Sequence, residues 1–352
     1  MKRVFSLLLA AMLVFSLAAC GDNSSNSTNS GNSVSSGTTD DFDPSKITLT
    51  WAGILNNHPV LRCCELGFVE ACKELGYNYQ IVGSDGADFN EMNAAAEAAA
   101  AAGSPGILAW VGDEVAANGV SILKNDYDCV VGAPHMYWEE GSVPGLAFSL
   151  ACDSATYGRE VADFMAERLE GKTGSIAITQ AAYVTNEDTA AASFKARIEE
   201  LQADGKLAGV KILDPVLEGG DDITESTNVN ASIIQANSDL IGAFSTTGAG
   251  PVTWSNAARK CGLNPGDLVI VSMDYTADNL AEIKSGYCTA IVAQPLYDEA
   301  YKGVYYLDTI LRGGSVEYWT LLDAPLVYDG GEGVHDPATY EGILDRVNDM
   351  FK

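Results

Sequence analysis

Basic residues are scarce in this chain: 20 Lys and Arg stand against 48 Asp and Glu, for a formal net charge of −28 over 352 residues. A body so charged is repelled by phosphate backbones and anionic headgroups, which excludes nucleic acid and a charged membrane surface as partners. Histidine is scarcer still. His58, His135 and His335 are the whole set, and no two of them stand at helical metal-ligand spacing. The cysteines form no CxxC pair and the acidic residues no calcium loop of alternating oxygen ligands, so no metal is expected. Serine-hydrolase elbows, GxGxxG, Walker loops and HExxH are also missing, so no cofactor and no catalysis are expected. Glu187, Asp188 and Asp274 are the carboxylates from which a glycosidase pair would have to be drawn. Past Leu17 no apolar run reaches the ~20 residues that a spanning helix needs.

What is present begins with an export signal. Lys2 and Arg3 precede an almost unbroken apolar run from Val4 to Leu17, which ends in Leu17-Ala18-Ala19-Cys20. That ending resembles the bacterial lipoprotein box, in which the cysteine thiol takes a diacylglyceryl group after cleavage. Residues 1–19 are therefore expected to be a signal peptide and Cys20 the lipidated N-terminus. Gly21 to Asp43 is nearly all Ser, Asn, Gly, Thr and Asp, too polar to offset the entropy of ordering it, so residues 20–44 form a flexible tether. The expected location is the outer face of the cytoplasmic membrane, reached by the lipid anchor only. The body keeps seven cysteines, an odd number with no disulfide-framework spacing. Most lie in apolar patterns, which points to free thiols and a reducing, oxygen-poor habitat.

The body, about 300 residues, suits one or two domains. Short β-branched runs alternate with amphipathic helical patterns along all of it. Ile47–Gly53 reads as a strand and Val60, Cys64, Phe68, Ala71 and Leu75 as one helix face stopped by Gly76. Strands at 79–82, 107–111, 129–133 and 147–151 follow, with helices between them. The rhythm then repeats: strands at 175–179, 210–216, 240–245, 268–272 and 288–293, helices at 224–236, 251–261 and 277–284. A helix at 297–311 and extended pieces over 318–327 come last, and no element is assigned beyond. This order predicts an α/β fold of two Rossmann-like parallel-sheet lobes with a hinge and an interlobe cleft. The first lobe is expected over 45–152 plus about 295–323, the second over 153–294 plus about 324–352.

Four segments carry a family resemblance. They are Leu55-Asn56-Asn57-His58-Pro59 with the helix end Glu70-Ala71-Cys72-Lys73-Glu74-Leu75-Gly76-Tyr77, then Leu150-Ala151-Cys152-Asp153-Ser154, Val269 to Asp274, and Ala290-Ile291-Val292-Ala293-Gln294-Pro295. Together they resemble the type I periplasmic-binding-protein family in its sugar-binding branch, over about residues 46 to 325. The resemblance implies that Asn57, Asp274 and Gln294 hydrogen-bond sugar hydroxyls, a task that suits planar groups able to hold two neighbouring hydroxyls. Three segments depart from the ribose-type pattern. Ala133-Pro134-His135-Met136-Tyr137-Trp138 stands where Asp-Arg is usual, Tyr183 to Asp188 where an Arg is usual, and Thr246 to Pro251 where Asn-Asp is usual. The Val184-Thr185-Asn186 loop is similar to relatives that bind the autoinducer-2 furanone.

Ring-stacking candidates are Trp110, Tyr137, Trp138 and Trp254, all near predicted strand ends; Trp110 and Trp254 are the favoured platforms. His58, His135, Asn186 and Thr247 complete the candidate set. Arg62, Arg159 and Arg259 fall on helices, which disfavours an acidic sugar. The resemblance implies a monomeric receptor for a small neutral carbohydrate, delivering it to an ABC permease. Presentation to a chemoreceptor or histidine kinase is the alternative.

Overall fold

The computed structural model describes residues 42–352, except 57, 59, 181–184 and 219–221 and the side chains of 185 and 186. The first sheet is built from β1 (Thr48–Gly53), β2 (Asn78–Gly83), β3 (Gly106–Ala109), β4 (Val130–Pro134), β5 (Leu146–Cys152) and β12 (Trp319–Leu322), in the order β12-β5-β4-β3-β1-β2. Every pairing in it is parallel. Strand side chains alternate between faces. Leu49, Trp51 and Leu108 therefore join Phe68 of α1 (Leu61–Leu75) and Leu307 of α9 (Leu296–Leu311) in one core cluster. Ala52, Ile107 and Ala109 meet Met92 of α2 (Phe89–Ala101) and Val120 of α3 (Glu114–Tyr127) on the other side.

The second sheet takes β6 (Gly174–Gln180), β7 (Val210–Ile212), β8 (Val216–Leu217), β9 (Leu240–Ser245), β10 (Val269–Met273), β11 (Ala290–Val292) and β13 (Leu326–Val327). Its order is β13-β11-β10-β9-β6-β7, with β8 also on β6. Only β13 runs antiparallel among the described strands. Helices α4 (Ser154–Arg168) and α5 (Thr185–Ala203) pack together on one side, and α6 (Ile223–Ala236), α7 (Gly250–Lys260) and α8 (Ala277–Ser285) on the other. Much of the acidity is structural: Asp88, Asp113, Asp153, Asp222 and Asp336 are helix N-caps whose carboxylates accept backbone N–H groups. Each such cap is worth roughly 0.5–2 kcal/mol over alanine.

Two regions differ from the sequence expectation. The run at 210–216 breaks into β7 and β8, because both pair with β6 at different heights. The extended pieces over 318–327 are not among them: β12 enters the first sheet and β13 the second. The tail holds α10 (Pro337–Met350), announced by the Asp336 cap and Pro337 at its first turn. It packs on α8 of one lobe and α1 of the other. Tyr275, its ring tilted against that of Tyr340 of α10 at a centroid distance of 4.7 Å and hydrogen-bonded to Cys63 of α1, lies in a core that runs continuously between lobes.

Candidate functional site

Parallel strands end together, so the residues just past β1, β4 and β10 share one edge of each sheet, where α/β proteins place ligands. Three of them, Leu55, His135 and Asp274, have left-handed backbones with φ of 50°, 67° and 66°. Non-glycine residues pay for that conformation, and such strain concentrates at functional sites. Thr276, not Asp274, caps α8.

Asp274 sits at the centre. Its Oδ1 accepts the Gln294 amide N–H at 2.8 Å, and the Gln294 Oε1 accepts the Cys152 thiol at 3.5 Å. Cys152 and Gln294 end two of the strands from which the chain crosses between sheets, so the hydrogen-bond chain ties two crossovers to one carboxylate. Behind it, a Cβ on Gly248 would come within 2.6 Å of the Asp274 Oδ2. Burial raises the Asp274 pKa; the Gln294 bond and the nearby His135 and His58 oppose the rise. Asp274, Gln294, His135 and His58 are thus brought into one neighbourhood from both sheets.

Trp110 closes one side. Its ring lies between Phe89 and His135, each at a centroid distance of 6.4 Å. Its indole N–H is buried with no partner, as are the Asn56 Oδ1 and the His58 Nδ1. Buried polar atoms are normally paired, so unpartnered atoms on three residues that follow the ends of β1 and β3 mark that sheet edge as a place where something binds. Asn56 carries no signal that separates it from its neighbour Asn57 in the sequence. Asn57 itself lies outside the described residues, as does Cys20, and of Asn186 only the helical backbone is described, in the first turn of α5.

Other expected residues have different roles. Trp254 is fully buried and donates its indole N–H to the Thr179 hydroxyl at 2.9 Å, so it presents no face to a ligand. The helix that carries it turns the indole inward, under β6. Thr247 is buried too, its hydroxyl given to Glu218 at 2.7 Å. Glu218 also accepts from Ser245 and Asn230, a network that closes the end of β9. Tyr137 is 45% exposed and lies tilted against Trp319 of the sheet-edge strand at a centroid distance of 4.3 Å, while the Trp138 indole donates to the Val111 carbonyl. That loop folds down over the sheet edge rather than across its end. Glu299, which sequence pattern places on the inner face of α9 and nothing more, is fully buried and bonds the His135 Nδ1 at 3.1 Å. Among the described residues, no group of three or more His, Cys, Asp or Glu side chains is placed to hold a metal ion, and no helix is long and apolar enough to cross a membrane.

Two parallel-sheet lobes, linked by several crossovers and carrying hydrogen-bonding groups at facing strand ends, define a two-lobed α/β ligand receptor. Residues 56–315 match the periplasmic binding protein domain family, and the chain belongs to that family, in its type I form. Solved structures with the same fold include a sugar-binding protein of a sugar ABC transporter from Bacillus halodurans (TM-score 0.73, 19% identity, 83% of this chain and 99% of that one). An arabinose-binding protein from Geobacillus stearothermophilus is similar (TM-score 0.71, 16% identity, 84% and 99%). So is a glucose-galactose binding protein from the same organism (TM-score 0.68, 17% identity, 80% and 97%). No curated protein matches the sequence at a significant level.

Proposed function

We propose that this chain is an extracytoplasmic receptor, anchored by a lipid on Cys20, that captures a small neutral carbohydrate between its lobes and hands it to an ABC importer. The observation that carries the reading is the grouping of Asp274 with Gln294, His135 and His58, the His135 ring standing 6.4 Å from that of Trp110, together with unpartnered polar atoms on Trp110, His58 and Asn56. A sugar matches such a set: its apolar ring face covers the indole while its hydroxyls satisfy both donors and acceptors. The Asp274 carboxylate at the centre of the set favours a neutral ligand over an acidic one. Structural relatives named for arabinose, glucose and galactose support the same class.

The same residues support binding rather than catalysis: Asp274 is engaged with Gln294, and among the described residues no hydrogen bond pairs it with a second carboxylate. Contacts from both lobes supply the differential affinity that favours a closed form. That closed form is what a permease would read. The test is a thermal-shift panel of pentoses, hexoses, inositols, nucleosides and amino acids on the mature chain carrying Cys20→Ser. A ligand at a hundred times its Kd adds about 2.7 kcal/mol of stability. A shift with one sugar class that disappears in Trp110→Ala supports the reading; a shift confined to nucleosides or amino acids overturns the ligand class.

A further inference from the structure

Glu299 is the least expected residue near the cleft. Its side chain has no exposed surface, Oε1 has no partner, and Oε2 contacts only the His135 Nδ1. A carboxylate sealed in this way costs several kcal/mol unless a cation or the end of a helix dipole compensates it. Both are at hand: Glu299 lies in the first turn of α9, its N–H bonded to the Pro295 carbonyl, and His135 is the adjacent cationic group. The His135 backbone is itself held left-handed at φ 67°. With Nδ1 engaged, Nε2 is the polar atom left over on a ring whose centroid stands 6.4 Å from that of Trp110, and no described residue bonds it.

We propose that Glu299 is a positioning residue for the cleft, fixing the His135 ring through Nδ1 so that Nε2–H is presented to the ligand as a donor. This role rests on the reading of the cleft as a carbohydrate site. The charged and titratable groups around the pair are Asp298 on α9, Asp274 past β10, His58 before α1, Cys64 on α1 and Cys152 at the end of β5. Burial alone pushes the His135 imidazole down; Glu299, helped by Asp274, outweighs it and raises the pKa above the ordinary value of 6.5. A raised histidine pKa contributes stability below the unfolded value that is lost as pH rises through the folded one. Nε2 therefore remains a donor until the medium is more alkaline than that folded pKa.

With three histidines in the whole sequence, selective 15N-histidine labelling of the mature Cys20→Ser chain resolves each ring, His135 being assigned from His135→Gln. Expected are an Nδ1-protonated ring and a titration midpoint above the ordinary one, which falls by a full pH unit or more, a tenfold loss of proton affinity, in Glu299→Gln. Glu299→Asp, which withdraws the carboxylate by one methylene, moves it less in the same direction and serves if the glutamine variant does not fold. A wild-type midpoint at or below the ordinary value, or one unchanged in both variants, overturns the proposal. Titration with L-arabinose and D-galactose is the second arm, affinity expected to fall as pH passes the midpoint. Affinity independent of pH overturns the donor role. Binding of neither sugar or their relatives, with the nuclear resonance result intact, refutes the carbohydrate reading and leaves the positioning role supported.

Discussion

At the scale of single residues, the cleft combines cost and use. Asp274 keeps a strained backbone and a buried carboxylate whose pKa is raised, so its ionised form is a liability in the ligand-free protein. Asp274→Asn retains an oxygen for the Gln294 N–H and removes the buried charge. Ligand-free Asp274→Asn is expected to be more stable than wild type at neutral pH, because the raised pKa means that the ionised carboxylate destabilises the folded chain. Its ligand-induced shift should vanish. The sign with pH follows: a carboxyl with a raised folded pKa loses its penalty as the medium becomes more acidic, so the gap between the two proteins closes toward pH 4. Melting curves from pH 4 to 8 check this, and a gap that widens toward acid contradicts it. The Gly248 position carries the same logic in space. A methyl group there meets the Asp274 Oδ2 at 2.6 Å, so Gly248→Ala is expected to weaken ligand binding at least tenfold, measured by calorimetric titration, with little change in ligand-free melting.

At the scale of elements, the two-faced first sheet depends on how closely α1 approaches α9. Gly67 permits that contact: a Cβ added to it would stand 2.1 Å from the Tyr297 carbonyl oxygen. Backbone on a packed helix has nowhere to retreat. Gly67→Ala gains roughly 1 kcal/mol of helix propensity and still is expected to be destabilised by about 1–3 kcal/mol through overpacking. Urea unfolding measures the net, and a stabilised variant would refute the close-packing account. Helix α9 matters further because it carries Glu299 beneath His135 and a ladder of tyrosines, Tyr297, Tyr301 and Tyr305, bonded to Glu70 and Glu74 of α1. A shift of α9 would therefore carry the Glu299 carboxylate away from the His135 ring.

At the scale of the whole molecule, the seven cysteines of the body are free and six are buried, Cys261 being the more accessible one. Burial pushes Cys63, Cys72 and Cys288 up to about 12, far from the thiolate that reacts. Thiol titration of the mature Cys20→Ser chain is expected to give seven groups in denaturant and at most one fast group in the folded protein; a count of one in denaturant would mean three disulfides.

The alternation of strands and helices and the family segments were legible in the chain because they depend on local periodicity and on residues near one another in sequence. Helix α10 was legible in principle from Asp336-Pro337 and the spacing of Tyr340, Leu344 and Val347. The rest required the folded chain. Nothing local separates Trp110, with a free indole N–H beside His135, from Trp254, whose N–H is taken by Thr179 across 75 positions. Glu299 and His135 are 164 positions apart, and only packing of α9 beneath the end of β4 brings them together. Sequence by itself determined which segments become strands and helices and the parallel, two-lobed order that follows, since short-range sterics and hydrophobic periodicity act within a few residues. Tertiary structure alone decided which aromatic rings and hydrogen-bonding atoms face the cleft, because burial and partnering arise from contacts between segments far apart along the chain.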